Sequence, residues 1–388
     1  MPVRLGRMKK QRADVRLQHW TVVYSQGSKA GAEHEINVSV QRGARTVFAT
    51  ALRKRSTLMN QVSSNNNVPM FAVIVPLYNA AAYLDETLRA IQAQTFRDFE
   101  VVMVDDGSTD TTAELALGYV RRDERFHLIR TSNRGISPSR NTAVTHSSAP
   151  WLAVCDGDDV WLPEKLSLQA EFIRAWEVSG NRPLAAVGTA GHFINAAGER
   201  FSEIDPPQEP WPADADQIDS SPELKIINSS VVFRRDFFLK AGQYGSDYKA
   251  TEDLDLWLRL LEYGSVVNLP EHLTLYRMHG LNLSHQSYIP MLLHAQRCYI
   301  NAERRKSRLP LYTHEEYIHS LRRDPTSYEL MVRSMRQMMF YNMGKVNLHN
   351  RRYFLAARAL FMAAAAAPKD TLRLTSKSKV VRRLAGAP

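Results

Sequence analysis

From Phe71 onward the chain alternates short apolar runs with stretches of mixed polarity. Phe71–Val75, Phe99–Val104, Phe126–Ile129 and Trp151–Val154 are apolar at nearly every position, the pattern of strands covered on both faces rather than on one. Between and after them, residues of about 81–94, 111–122, 138–146 and 164–178 space their apolar positions helically. Strands alternating with helices predict βαβ units, a mostly parallel sheet and the α/β class.

A second block, 184–290, predicts a strand at Leu184–Thr189, a polar, proline-rich loop near 203–222 and a strand at Ile226–Phe233. A helix from about Glu252 to Tyr263 follows, then a strand near Val266–Leu269 and the segment Tyr276-Arg277-Met278-His279. Residues 288–368 read as helices in which Tyr328, Leu330, Met331, Met335, Met338, Met339 and Phe340 serve packing. The first 67 residues show neither period and end in Ser63-Ser64-Asn65-Asn66-Asn67, so they are expected to be a disordered extension joined by a linker. The expected organisation is an extension over 1–67, an α/β domain over 68–285, a helical region over 286–368 and a tail over 369–388.

Composition changes this picture mainly through where the charge sits. At 388 residues with 44% hydrophobic and 23% charged residues, the chain is globular material. Its net charge of +10 would point to nucleic acid or an anionic membrane. Residues 1–58, however, carry +9 and residues 369–388 carry +5, which leaves −4 for everything between. A nucleic-acid-binding protein driven by these ends is the non-enzymatic alternative, and it predicts binding that weakens steeply with salt. Cys155 and Cys298 cannot build a disulfide framework, which indicates a reducing compartment. The longest apolar stretch, Ala359–Ala367, is about half the roughly 20 residues of a membrane span. The N-terminus lacks the apolar segment of a signal peptide. A soluble cytoplasmic protein is expected. The tail, where Leu372, Leu374, Val380, Val381 and Leu384 interleave with bases, reads first as solvated, with contact to the inner face of the membrane as the alternative.

In a parallel sheet the ligand lies at the carboxyl ends of the strands. Three strand ends here deliver Pro76-Leu77-Tyr78-Asn79, Asp105-Asp106-Gly107-Ser108 and Asp156-Gly157-Asp158-Asp159. Five carboxylates on one edge repel unless a cation or hydrogen-bonding ligand joins them, and Asp-x-Asp on a tight turn offers hard oxygens to a divalent ion bridging a diphosphate. Trp161 at the sixth position excludes an EF-hand. Asp106 suits the imide of a base or ribose hydroxyls, and Tyr78 and Asn79 can stack on and bond to a base. Thr111-x-x-Glu114 reads as a capping box. Arg140, in Gly135-Ile136-Ser137-Pro138-Ser139-Arg140-Asn141, can meet a phosphate or a carboxylate. Glu252 and Asp253 open a helix, where acids are favoured electrostatically, and one of them can serve as a general base. His279 is a candidate metal or phosphate contact.

Taken in order, VIVPLYNAAAYLDETLRAIQAQTFRDFEVVMVDDGSTD, GISPSRNTAV, WLAVCDGDDVWLPEKL, TEDLDLWLRLLEYG and YRMHGLNLS resemble glycosyltransferase family 2, over about 71–285. The resemblance implies a GT-A fold with a C-terminal helical appendage, and inverting transfer from a nucleotide-diphospho-sugar, a UDP-sugar foremost, to a glycan or lipid-linked acceptor in surface polysaccharide or glycolipid synthesis. It implies no nucleic-acid partner. It puts Pro76, Tyr78, Asn79 and Asp106 at the nucleoside, Arg140 near the diphosphate, and Asp156, Asp158, Asp159 and His279 around Mn²⁺ or Mg²⁺. Asp253 is the implied base, with Glu252 beside it. A nucleotidyltransferase on a related scaffold is the enzymatic alternative, but it usually carries a Gly-rich basic loop where this chain has Pro76-Leu77-Tyr78-Asn79.

Overall fold

The computed structural model describes residues 68–211, 225–248, 250–279 and 288–366. The expectations for the N-terminal extension, the basic tail and most of the proline-rich loop lie outside them.

The predicted strands form β1 (Phe71–Leu77), β2 (Phe99–Asp105), β3 (Phe126–Arg130) and β4 (Trp151–Val154), each followed or preceded by a helix: α1 (Leu84–Gln92), α2 (Thr112–Val120) and α3 (Ile136–Thr145). β1 pairs in parallel with β2 on one side and β4 on the other, and β2 pairs in parallel with β3. Why these strands are apolar throughout is visible in the core. Phe71, Val73 and Val75 face one layer with Leu84, Leu88 and Ile91 of α1, while Ala72 and Ile74 face a second layer with Ala143 and Val144 of α3. Both faces are buried, so the alternation that marks a one-sided strand is absent.

Beyond β4 the sheet becomes mixed. The short β5 (Val160–Trp161) leads to α4 (Lys165–Glu177), β6 (Leu184–Ile194), β7 (Arg200–Ile204), β8 (Val232–Arg234), α5 (Arg235–Lys240), α6 (Glu252–Leu260) and β9 (Ser265–Arg277). The order across the sheet is β3-β2-β1-β4-β8-β6-β9-β5, with β7 on β6. β8 runs antiparallel to both β4 and β6, and β6 is parallel to β9.

Three local expectations are corrected. The strand expected over Ile226–Phe233 is a turn of 3₁₀ helix at Asn228–Ser230 followed by only three strand residues, because the Ser230 and Val231 N–H groups turn back to the Ile227 and Asn228 carbonyls instead of joining the ladder. The separate segments Val266–Leu269 and Tyr276–Arg277 are one strand. Pro270 fits within it because the pairing with β6 slips there, Leu269 opposing Thr189 and His272 opposing Ala190. The capping box at Thr111 is not made: the Asp110 carboxylate takes the Thr112 N–H at 3.0 Å and also the Ala81 N–H at 3.3 Å. A charged acceptor one residue earlier outcompetes the hydroxyl.

The C-terminal helical appendage consists of α7 (Tyr288–Lys306), α8 (His314–Leu321), α9 (Pro325–His349) and α10 (Tyr353–Ala366). α7 packs on α6, while α9 and α10 form a hairpin. Thr313 and Glu316 make a true capping box at α8. Among the described residues no helix is long and apolar enough to cross a membrane.

Candidate active site

The parallel register brings the strand ends together: Leu77 lies opposite Asp105, and Ile74 opposite Val154. Tyr78 leaves β1 exposed, and Pro76 precedes it within the strand. Asn79 sits in the left-handed region at φ 50°, a conformation that asparagine tolerates. Its amide oxygen accepts from the Thr109 N–H at 2.8 Å, so the side chain is committed to the turn after β2. Asp105 is buried and accepts from the Ser108 N–H at 3.1 Å and from Arg130 at 3.2 Å. Asp106 is also buried; it accepts from the Thr131 hydroxyl and from the N–H groups of Arg134 and Gly135, the last at 2.7 Å. It thereby pins the loop that enters α3.

The Asp156–Asp159 turn packs on the end of β1, since a Cβ on Gly157 would stand 2.9 Å from the Leu77 side chain. Its three carboxylates diverge. Asp156 is held between Arg140 at 2.7 Å and the Asn228 amide at 3.0 Å, with its own N–H on the Ser229 hydroxyl. Asp158 meets His279 Nε2 at 2.9 Å and keeps about a quarter of its side chain exposed. Asp159 departs from the expected metal-ligating group: it is 1% exposed and accepts from the Arg277 N–H at 2.8 Å, so it joins the turn to β9. Asp158 and His279 are thus the adjacent pair among the four predicted metal ligands. An oxygen donor and an imidazole nitrogen, with solvent access on the carboxylate, fit a divalent ion that keeps positions open for another ligand.

Arg140 lies between the two halves of the site. Its guanidinium is 2% exposed, bonds Asp156 and Glu252 at 2.7 Å each, and rests over the Tyr244 ring at 5.3 Å. Of the two partners expected for this arginine, a phosphate or a carboxylate, the structure shows carboxylates, and the buried cation is balanced by both. Asp253, the residue after Glu252, is half-buried, and among the described residues its carboxylate accepts from the Leu254 N–H of its own helix turn. Burial, and then the neighbouring Glu252, push its pKa up from 3.8 to about 7, while Arg140 opposes them. A carboxylate in that range takes a proton near neutrality and can hold it.

Three contributors to the site, and one separate group, went unrecognised in the sequence. Asn228 and Ser229 hold Asp156, and the polar triplet Asn228-Ser229-Ser230 interrupting an otherwise apolar run was the signal for them. Arg277 donates to the Asp158 carbonyl at 2.7 Å and to Glu86 at 2.6 Å, and it lies over the Tyr83 ring, which also packs on His279. Two positions before His279, it could have been read as a clamp. A separate group, Glu203, Asp205 and His272, brings its ligand atoms within 4.8 Å of one another. It is assembled across strands by pairings that no local spacing reveals.

Residues 72–200 match the family model described as glycosyl transferase family 2. The uncharacterized glycosyltransferase EpsJ of Bacillus subtilis (strain 168) is 27% identical over 257 residues, 64% of this chain and 71% of that protein. TuaG of the same organism, a glycosyltransferase provisionally named for teichuronic acid biosynthesis, is 29% identical over 224 residues, 56% of this chain and 82% of its own. Among solved structures, the Pyrobaculum calidifontis mannosyltransferase PcManGT, in complex with GDP-Man and Mn²⁺, is 19% identical with a TM-score of 0.48, covering 88% of this chain and 90% of that one. Residues 72–200 are therefore a glycosyl transferase family 2 domain, and the chain that carries them is a glycosyltransferase.

Proposed function

We propose that the chain moves a sugar from a nucleotide-diphosphate donor, a UDP-sugar foremost, to a hydroxyl of a glycan or lipid-linked acceptor, with inversion at the anomeric carbon. The observation that carries this reading is Asp253, a half-buried carboxylate with a pKa near 7, joined through Glu252 and Arg140 to the Asp156–Asp158 turn. Asp253 takes the proton of the acceptor hydroxyl. The freed oxygen bonds to C1 from the side opposite the leaving group, and the C1–O bond to the diphosphate breaks with its electron pair going to the nucleoside diphosphate. One displacement inverts the centre.

Asp158 and His279, with Asp156 beside them, are the residues that would hold Mn²⁺ or Mg²⁺, and the imidazole nitrogen favours the former. When bound, such an ion offsets charge on the departing diphosphate. Arg140 acts as a positioning residue that bridges Asp156 and Glu252 and offsets their mutual repulsion. Tyr78, beside Pro76, offers a ring on which a base can stack, and Asp106 shapes the loop next to it. The name of TuaG supports a place in surface polysaccharide synthesis.

The test is a screen of nucleotide sugars for Mn²⁺-dependent thermal stabilisation and turnover. Asp253→Asn should lose transfer by roughly a hundredfold to ten-thousandfold while still binding donor. Asp158→Ala should lose the metal-dependent stabilisation. Near-normal turnover by Asp253→Asn, or equally tight donor binding without metal, would overturn the assignment.

A further inference from the structure

Helix α10 is arranged inside out. Ala356, Ala359 and Ala363, spaced three and four apart, are buried, and Leu360 beside them closes on Gly344 of α9. The opposite face carries Phe354 and Phe361, exposed at 80% and 75%, with Arg358 between them and Leu355 and Met362 on the flank. Tyr353 at the start of the helix is 64% exposed. A helix that faced only water would place its aromatics inward and its small or polar residues outward. Large apolar side chains in one stripe, ringed by arginine, mark a surface that something covers.

Charge selects what covers it. The hairpin from Pro325 to Ala366 contains Arg333, Arg336, Lys345, Arg351, Arg352 and Arg358 against the single acid Glu329, a net of +5. Residues 59–324 carry −9. Two hairpins meeting face to face would oppose +5 with +5, and the +5 of residues 369–388 is equally repelled from the hairpin. An anionic surface is attracted, and the pairing of exposed Phe with Arg on one helical face suits the boundary between lipid headgroups and acyl chains.

The hairpin is also fixed beside the crevice. At its bend Asn350 donates to the Met278 carbonyl, next to His279, and accepts from the Ala196 N–H at 2.9 Å. Arg351 bonds Glu199 at 2.8 Å, and His349 stacks on Phe201 at 4.1 Å. We propose that the exposed face of α10, with Phe354, Phe361 and the arginines at 351, 352 and 358, docks the protein on an anionic lipid bilayer and holds the crevice at its surface.

The test is co-sedimentation of the full chain with vesicles of phosphatidylglycerol mixed with phosphatidylcholine, against pure phosphatidylcholine. The expected result is binding to the anionic vesicles alone, weakened by salt, and reduced roughly tenfold or more in Phe354→Ser/Phe361→Ser. Both positions are exposed, so the variant should keep its thermal transition and its nucleotide binding. Deletion of 369–388 should leave binding that still responds to the two phenylalanines. Equal sedimentation of wild type and the double variant would overturn the proposal. So would complete loss on deleting the tail alone, or a dimer in solution that the double variant dissociates. Vesicle binding is read without turnover, so its failure and that of the transferase reading are separable.

Discussion

At Asp253 two opposing influences set the response to pH. Burial and Glu252 favour the neutral acid, and Arg140 favours the carboxylate, leaving a pKa of about 7. A base must be ionised to work, so kcat should rise with pH through about 7. Glu252→Gln removes a repelling charge and releases Arg140, so it should move that midpoint to lower pH; an unchanged or higher midpoint counts against Glu252 as the cause. The same carboxylate affects stability with the opposite sign. Because its pKa is raised above the unfolded value of 3.8, its contribution is fully present below that value and is lost as pH rises through about 7. At this scale the sequence was informative about residue type more than about direction. Arg140 joins Asp156 to Glu252, the residue before Asp253, and Asp158 meets His279, yet Asp159 in the same turn points into the protein toward Arg277, and Asn79 spends its amide on Thr109. Which way a side chain leaves a turn depends on backbone groups contributed from distant parts of the chain.

Elements were legible where burial was uniform. β1, β2 and β4 lie between two layers of side chains, so nearly every position is apolar and the strand stands out from its surroundings, whereas β3, at the edge of the sheet, buries fully only Phe126. β9 was harder to read because Pro270 divides it in sequence while the slip against β6 heals it in space. The β6 and β9 contact also depends on missing side chains. A Cβ on Gly191 would lie 2.4 Å from the Thr274 carbonyl oxygen, closer than any atom of that size can approach a strand backbone. Gly191→Ala should therefore cost about 1–3 kcal/mol by forcing the strands apart. The urea midpoint measures this directly; a shift within error would mean that the pairing has slack.

At the scale of the whole molecule, the sequence located the basic ends and the acidic remainder, but it did not divide that remainder. The acids gather in residues 59–324 and the bases in the α9–α10 hairpin, a separation hidden within the −4 of residues 59–368. Arg277 shows how widely separated segments depend on one residue: its side chain reaches Glu86 on α1, the Asp158 carbonyl after β4 and the Asn195 carbonyl after β6. Arg277→Met should weaken donor binding and lower the melting temperature together, whereas loss of one without the other would separate the clamp from the fold. The bonds from Arg277 to Asp158, Asp159 and Glu86 span 119, 118 and 191 positions of sequence. Contacts of such separation close late in folding. In a chain still emerging from the ribosome the Asp156–Asp159 turn remains without its Arg277 clamp until β9 arrives. On the proposed function, incomplete copies do not capture nucleotide-sugar, because the last strand of the sheet is also the part that finishes the proposed site.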